Sequence, residues 1–260
     1  MRYEILGPLR LIDGERTSFI GARKIEALLV TLLIRSDHVV GVEHLMAEIW
    51  GNQPPREAGS ALHVYISKLR KHLRGPERKE NPIVTRPQGY MLRLGADEID
   101  FHAFVRLADR GRAYLRAGER EKAAESLERA LTLWRGTMTT GSAHGPIVDG
   151  FRRWLLETRL ECTDLLMETH LALGHHRELV GRLFSLITEH PLQEGFYRQL
   201  MLALYRADRK ADALNVYQTA RRILREELGL EPCRALQDLE RGILTADPSL
   251  DLVRRDQFVA

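Results

Sequence analysis

At 260 residues the chain is long enough for two domains of ordinary size, and 44% hydrophobic residues can fill two modest cores, which excludes disorder throughout. The net charge of +3 is unevenly placed: residues 1–95 hold 15 Lys and Arg against 10 Asp and Glu, and the remainder holds 24 against 26. No apolar run approaches the ~18 residues of a membrane span, and the opening Met1-Arg2-Tyr3-Glu4 lacks the succession of a signal peptide, so a soluble protein that stays in the cytoplasm is expected.

The first twenty residues alternate and turn. Tyr3 and Ile5, the Gly7-Pro8 break, Leu9 and Leu11, Asp13-Gly14 and then Phe19-Ile20 predict a small antiparallel sheet. From Ala22 the period becomes helical, with Ile25, Leu28, Leu29, Leu32 and Leu33 on one face of a helix ending near Ser36-Asp37. A second, shorter helix is expected from about Val42, with Leu45, Met46 and Ile49 inward.

After Pro54-Pro55 the spacing predicts a third helix from about Arg56 to Arg74. At ~100° per residue, Ala58, Leu62, Ile66, Leu69 and Leu73 face inward, and Ser60, Val64, Ser67 and Lys71 face out, flanked by His63, Lys68 and Arg74. Residues 56–79 carry Arg56, Lys68, Arg70, Lys71, Arg74, Arg78 and Lys79 against Glu57 and Glu77. Such a local excess suits a polyanion such as nucleic acid, and a solvated helix face is the other reading of the charge alone. Ile83 to Arg86, the turn Pro87-Gln88-Gly89, and Tyr90 to Leu94 then predict a β-hairpin. Sheet, three helices and hairpin together make a winged helix-turn-helix.

Beyond Ala96 the chain is expected to be all helical, with a weak tetratricopeptide-like repeat in which small residues let paired helices approach. Leu107, Gly111, Tyr114, Ala123, Leu127 and Ala130 fit that pattern. Val180, Phe184 and Ile187 repeat its end, and Ala213, Tyr217 and Ala220 repeat it 33 residues later. An extra loop is expected over Thr137 to Gly150, and a loose tail from about Asp247. Cys162 and Cys233, far apart and each in a helical pattern, are expected to be buried thiols. The fold class is therefore mainly α: a winged helix over 1–95 and a tetratricopeptide-like domain over 96–260.

Reading DNA requires donors that reach base edges from a helix in the major groove, and cations that hold phosphates beside it. On the third helix Val64 can touch a thymine methyl, and Ser60, His63, Ser67 and Lys68 can donate to bases or phosphates. Lys71 and Arg74 are placed for phosphate, and Arg86 beside the hairpin turn for a minor groove. No phosphate-cradling Gly-rich loop, Gly-x-Ser-x-Gly elbow or His-Glu-x-x-His is present, so neither an enzyme nor a cofactor is expected. The pair His175-His176 is read as a surface turn after Gly174 rather than a metal site, because adjacent helical residues point about 100° apart.

Ser60 to Lys71 (Ser-Ala-Leu-His-Val-Tyr-Ile-Ser-Lys-Leu-Arg-Lys) followed by Ile83-Val84-Thr85-Arg86-Pro87-Gln88-Gly89-Tyr90 resembles the recognition helix and wing of OmpR/PhoB-type proteins. Leu133-Trp134-Arg135-Gly136, Leu200 to Tyr205 and Glu226 to Pro232 resemble the bacterial transcriptional activation domain. In that order the two domains resemble the Streptomyces antibiotic regulatory protein family over nearly the whole chain. The resemblance implies an activator that binds direct repeats in promoters of secondary-metabolite genes as side-by-side protomers and holds RNA polymerase holoenzyme there, nucleoid-associated when bound to DNA. It implies contacts to phosphates or bases from Ser60, Val64, Tyr65, Ser67, Lys68 and Arg70, with Arg86 in the minor groove. Ser60 and Ser67 stand where two-component relatives often carry Arg, and His63 where this family often has Gln, so the target read is expected to differ. The family's large members add an ATPase domain, which is not expected here, and neither is a receiver domain ahead of the winged helix. Two other readings remain open: a helical-repeat protein-interaction adaptor, and a ligand-gated regulator acting as a repressor.

Overall fold

The structure is a computed structural model that describes residues 1–74, 80–137 and 145–251. The chain forms two compact units, Met1–Asp109 with Arg129–Leu160 and Arg110–Glu128 with Glu161–Ala260.

The first unit opens with β1 (Arg2–Glu4), β2 (Arg10–Asp13) and β3 (Arg16–Ser18), antiparallel neighbours in which Tyr3 pairs with Leu11. Both of those side chains are buried, as the alternation requires, whereas Phe19, expected to continue the sheet, lies beyond β3 and is 61% exposed. Three helices follow: α1 (Arg23–Ile34), α2 (Val42–Trp50) and α3 (Ala58–His72). Leu28, Leu29, Leu32 and Leu33 of α1, Leu45 and Ile49 of α2, and Leu62, Ile66 and Leu69 of α3 are almost completely buried. Each contributes on the order of 1.5–3 kcal/mol by leaving water.

Two-residue strands too short to show alternation frame this core. β4 (Val40–Gly41) joins the hairpin β5 (Ile83–Arg86) and β6 (Gly89–Leu92) in the order β4-β6-β5. β7 (Glu98–Ile99) adds to β1 in parallel. Gly89 is required where β4 crosses β6, because a Cβ there would stand 2.0 Å from the Val40 carbonyl oxygen.

Residues beyond the hairpin complete the same unit. Asp100 opens α4 (Asp100–Arg116), and its buried carboxylate accepts the backbone N–H groups of Ile5 and Leu6, each at 2.9 Å. Burial pushes its pKa up, and the two N–H donors and the Arg135 guanidinium pull against that shift. Arg135 follows α5 (Arg120–Thr132) in the Leu-Trp-Arg-Gly stretch. Its N–H donates to the Leu6 carbonyl at 2.8 Å, Nη1 donates to the Pro8 carbonyl at 3.2 Å, and Nε lies 3.2 Å from Glu4. Trp134 beside it packs edge-on to Phe104, with the Arg159 guanidinium 4.6 Å from its ring centre. Glu48 of α2, 1% exposed, accepts the N–H groups of Ile147 at 2.7 Å and Val148 at 3.2 Å, at the start of α6 (Pro146–Ala172). Of the loop expected over Thr137 to Gly150, residues 146–150 are thus helix, and 138–144 lie outside the described residues.

The second unit holds parts of α4, α5 and α6 together with α7 (His176–Glu189), α8 (Glu194–Arg206), α9 (Lys210–Leu228) and α10 (Arg234–Thr245). Gly111 lets α4 approach α5, since a Cβ on it would stand 2.7 Å from Leu127. The repeat register differs from the expected one. Phe184 is 41% exposed and Val180 and Ile187 are only half-buried, whereas Leu179, Leu183 and Leu186 face inward, 34 positions ahead of the buried Ala213, Tyr217 and Ala220. Both sets share the same spacing along one helix, so periodicity did not distinguish them.

Cys162 is buried as expected, but Cys233 is exposed at the N-cap of α10, where its N–H donates to Glu194 at 2.6 Å. Gly174 turns the chain into α7 with φ 87°, and Nδ1 of His175 meets Nδ1 of His170 at 3.1 Å. The expected loose tail begins with a 3₁₀ turn over Pro248–Leu250, capped by Asp247 and held by Arg206 Nε on the Leu250 carbonyl at 2.8 Å. Residues 252–260 lie outside the described residues.

Candidate nucleic-acid interface

Helix α3 presents the face that its period predicts. Ser60, His63, Val64, Ser67, Lys68, Lys71 and Arg74 are exposed, opposite the buried stripe Ala58, Leu62, Ile66, Leu69 and Leu73. Val64, 50% exposed, stands as an apolar spot among donors. Arg70 and Lys71 occupy the last turn, where their positive charges also complement the carbonyl end of the helix dipole. Among the described residues no ion pair engages Lys68, Lys71, Arg74 or Arg86. Arg78 and Lys79 of the basic run lie outside the described residues.

Three sequence-predicted residues, Tyr65, Arg70 and His63, have structural engagements. Tyr65, half-buried, stacks on Trp50 of α2 at 5.8 Å and 25°, and Lys24 Nζ sits 5.5 Å from the Trp50 ring centre. Arg70 turns toward the hairpin: Nε donates to the Ile83 carbonyl at 3.1 Å and Nη2 to Thr85 Oγ1 at 2.8 Å. Asn81 closes the same junction, donating to the Arg70 carbonyl at 3.3 Å and accepting from the Ile83 N–H at 3.0 Å.

The wing is thereby fixed to the C-terminal half of α3. Arg86 ends β5, exposed, and pairs with Gly89 across the two-residue turn Pro87-Gln88. His63 joins the two elements from the other side, its Nδ1 2.7 Å from the Tyr90 hydroxyl. Helical-face reasoning missed Trp50, Lys24, Tyr90 and Asn81, since none is on α3. The Trp50-Gly51 end of α2 was the one available signal, an aromatic beside a helix stop.

Chemically, the arrangement offers short donors and one apolar contact for base edges, cations along the helix for phosphates, and a guanidinium on an adjacent ribbon. Among the described residues no group of three His, Cys, Asp or Glu side chains is placed to hold a metal ion, and no helix is long and apolar enough to cross a membrane.

Comparison with known proteins assigns both parts of the chain. The family described as transcriptional regulatory protein, C terminal, matches residues 20–92, and the bacterial transcriptional activator domain matches residues 99–244. Regulatory protein DnrI of Streptomyces peucetius is 34% identical over 96% of this chain and 94% of its own length. Regulatory protein AfsR of Streptomyces griseus is 35% identical over 96% of this chain, which spans 25% of that relative. A solved structure of Mycobacterium tuberculosis EmbR in complex with a low-affinity phosphopeptide superposes with a TM-score of 0.86 at 30% identity, covering 95% of this chain and 65% of the other. With a DNA-binding type of winged helix ahead of an activator domain, and near end-to-end similarity to DnrI, the chain belongs to the Streptomyces antibiotic regulatory protein family of transcriptional regulators.

Proposed function

We propose that this protein is a sequence-specific DNA-binding transcription activator for a pathway of secondary-metabolite synthesis, acting in the cytoplasm on double-stranded promoter DNA. In this reading residues 1–95 are the reader and residues 96–260 the activation module. The reader binds direct repeats as adjacent protomers, and the activation module holds RNA polymerase holoenzyme at the promoter. No catalytic step and no cofactor is part of this account.

The observation that carries the proposal is the exposed, cation-flanked face of α3 set beside an exposed Arg86 on a braced wing. Ser60, His63, Val64 and Ser67 face base edges in the major groove, and Lys68, Lys71 and Arg74 hold phosphates. Arg86 enters the neighbouring minor groove. Tyr65, propped on Trp50, supports the face at its edge, and Arg70 serves the interface by holding the wing.

The test is operator binding by Lys68→Ala and Arg86→Ala. Each removes one ionic contact, so each lowers affinity at low salt and flattens the dependence of log affinity on log salt by about 0.9. Unchanged affinity and slope in both variants contradict the proposal.

A further inference from the structure

His63 and Tyr90 come from different elements, and their contact bears on how the reader face is set. Tyr90 is 3% exposed, held in β6 by backbone pairing to Val40 of β4 and Thr85 of β5. Its hydroxyl is 2.7 Å from Nδ1 of His63, with the two rings edge to face at 76°. The Arg70 guanidinium lies 5.9 Å from the Tyr90 ring centre. His63 is exposed on the outward face of α3, so Tyr90 occupies Nδ1 and leaves Nε2 to meet a ligand.

A neutral imidazole carries one proton, on either Nδ1 or Nε2, and the hydrogen bond at one nitrogen decides the role of the other. The phenol oxygen is a weak acceptor, its lone pair shared with the ring, while the imidazole lone pair is a good one. A cation beside the phenol ring draws electron density from it and strengthens the O–H as a donor. The geometry points to Tyr90 as a positioning residue: its hydroxyl donates to Nδ1 of His63, places the imidazole proton on Nε2, and makes His63 a donor-only probe of the DNA major groove.

This assignment rests on the DNA-reading function proposed above and deepens it. An Nε2–H donates to N7 or O6 of guanine, N7 of adenine or O4 of thymine, and it opposes the N4 amino group of cytosine, which is itself a donor. The consequence is that specificity at one base pair is set by a buried residue of the wing that itself touches no base.

The experiment uses the full chain in three forms, wild type, Tyr90→Phe and His63→Ala. One readout is nitrogen-15 NMR of the His63 ring at neutral pH; the other is selection from random duplexes. The wild type is expected to show the Nε2–H form and, at one position of its motif, to disfavour cytosine by about tenfold, the discrimination of one good hydrogen bond set against an unpaired donor. Tyr90→Phe is expected to mix the two ring forms and to reduce that discrimination to about twofold, with the other motif positions and the salt slope retained. His63→Ala is expected to lose the same position.

An Nδ1–H form in the wild type overturns the assignment. So does a motif that Tyr90→Phe leaves intact at the position His63→Ala relaxes, or one that His63→Ala does not alter. In those cases the wild-type motif itself still supports DNA reading. A wild type that enriches no motif overturns the reader and this assignment together. Should Tyr90→Phe fail to fold, the wild-type ring form and the His63→Ala selection decide the question.

Discussion

At the scale of single residues, the proposed interface combines side chains that hold the wing and helix together with side chains left exposed to reach a ligand. Gly89 illustrates the holding class: a methyl there would press on the Val40 carbonyl oxygen at 2.0 Å, and that atom is backbone, so β4 and β6 must part to admit it. Gly89→Ala is expected to cost on the order of 1–3 kcal/mol in thermal or denaturant unfolding, and to weaken operator binding beyond that loss because Arg86 sits on the strand paired with β6. An unchanged melting temperature would show that the crossing yields. The exposed set Ser60, His63, Val64, Ser67, Lys68, Lys71 and Arg74 was legible from angle alone, since one face of a 3.6-residue helix is fixed once the apolar stripe is known. Arg70 was not: angular position cannot tell that a hairpin 13 residues on brings the Ile83 carbonyl within 3.1 Å of its Nε. Tyr65 was hidden for the same reason, its stacking partner Trp50 lying on a different helix.

Among elements, two buried carboxylates connect the winged helix to helices that follow it in the first unit. Glu48 on α2 caps the first turn of α6, and Asp100 at the start of α4 caps the turn after β1. Each satisfies two backbone donors that burial would otherwise leave unpaired. Glu48→Gln keeps the volume but presents an amide N–H₂ to one of those donors. It is expected to destabilise the protein by about 1–3 kcal/mol, read as a shifted denaturant midpoint with an unchanged slope. A midpoint that does not move would mean that water replaces the carboxylate. Neither carboxylate was visible as a cap in the sequence, because their partners lie 94 to 100 residues away. Short strands were illegible for a related reason: Val40–Gly41 and Glu98–Ile99 are strands only because β6 and β1 pair with them. The helical repeat was legible in kind and off by one residue in register over α7, where Leu179, Leu183 and Leu186 run beside Val180, Phe184 and Ile187. Small residues settled the register elsewhere, at Gly111 in α4 and Ala213 and Ala220 in α9.

For the whole molecule, acid titration and DNA binding are the properties to measure. Glu161 receives a two-pronged contact from Arg112, Nε to Oε1 at 2.9 Å and Nη2 to Oε2 at 2.7 Å, and this holds its pKa below the usual glutamate value. A folded-state pKa that is lowered stabilises the native protein above the unfolded-state value, and the contribution disappears as pH falls through the folded value. Asp100 acts in the opposite sense: burial raises its pKa, so protonation favours the native state as pH falls toward the unfolded value. Glu161→Gln is therefore expected to melt with a shallower loss of stability on the acid side than the wild type, and an identical pH profile would show that the exposed pair contributes nothing. The basic excess of residues 1–95 and the helical repeat beyond them were both readable as composition and period. Whether α3 and its wing read DNA is decided by selection from random duplexes with the purified protein, repeated at several salt concentrations. A tandemly repeated motif whose affinity falls steeply with salt and whose enrichment is lost in Lys68→Ala is the expected result; absence of any enriched motif, or weak binding indifferent to salt, would show that they do not.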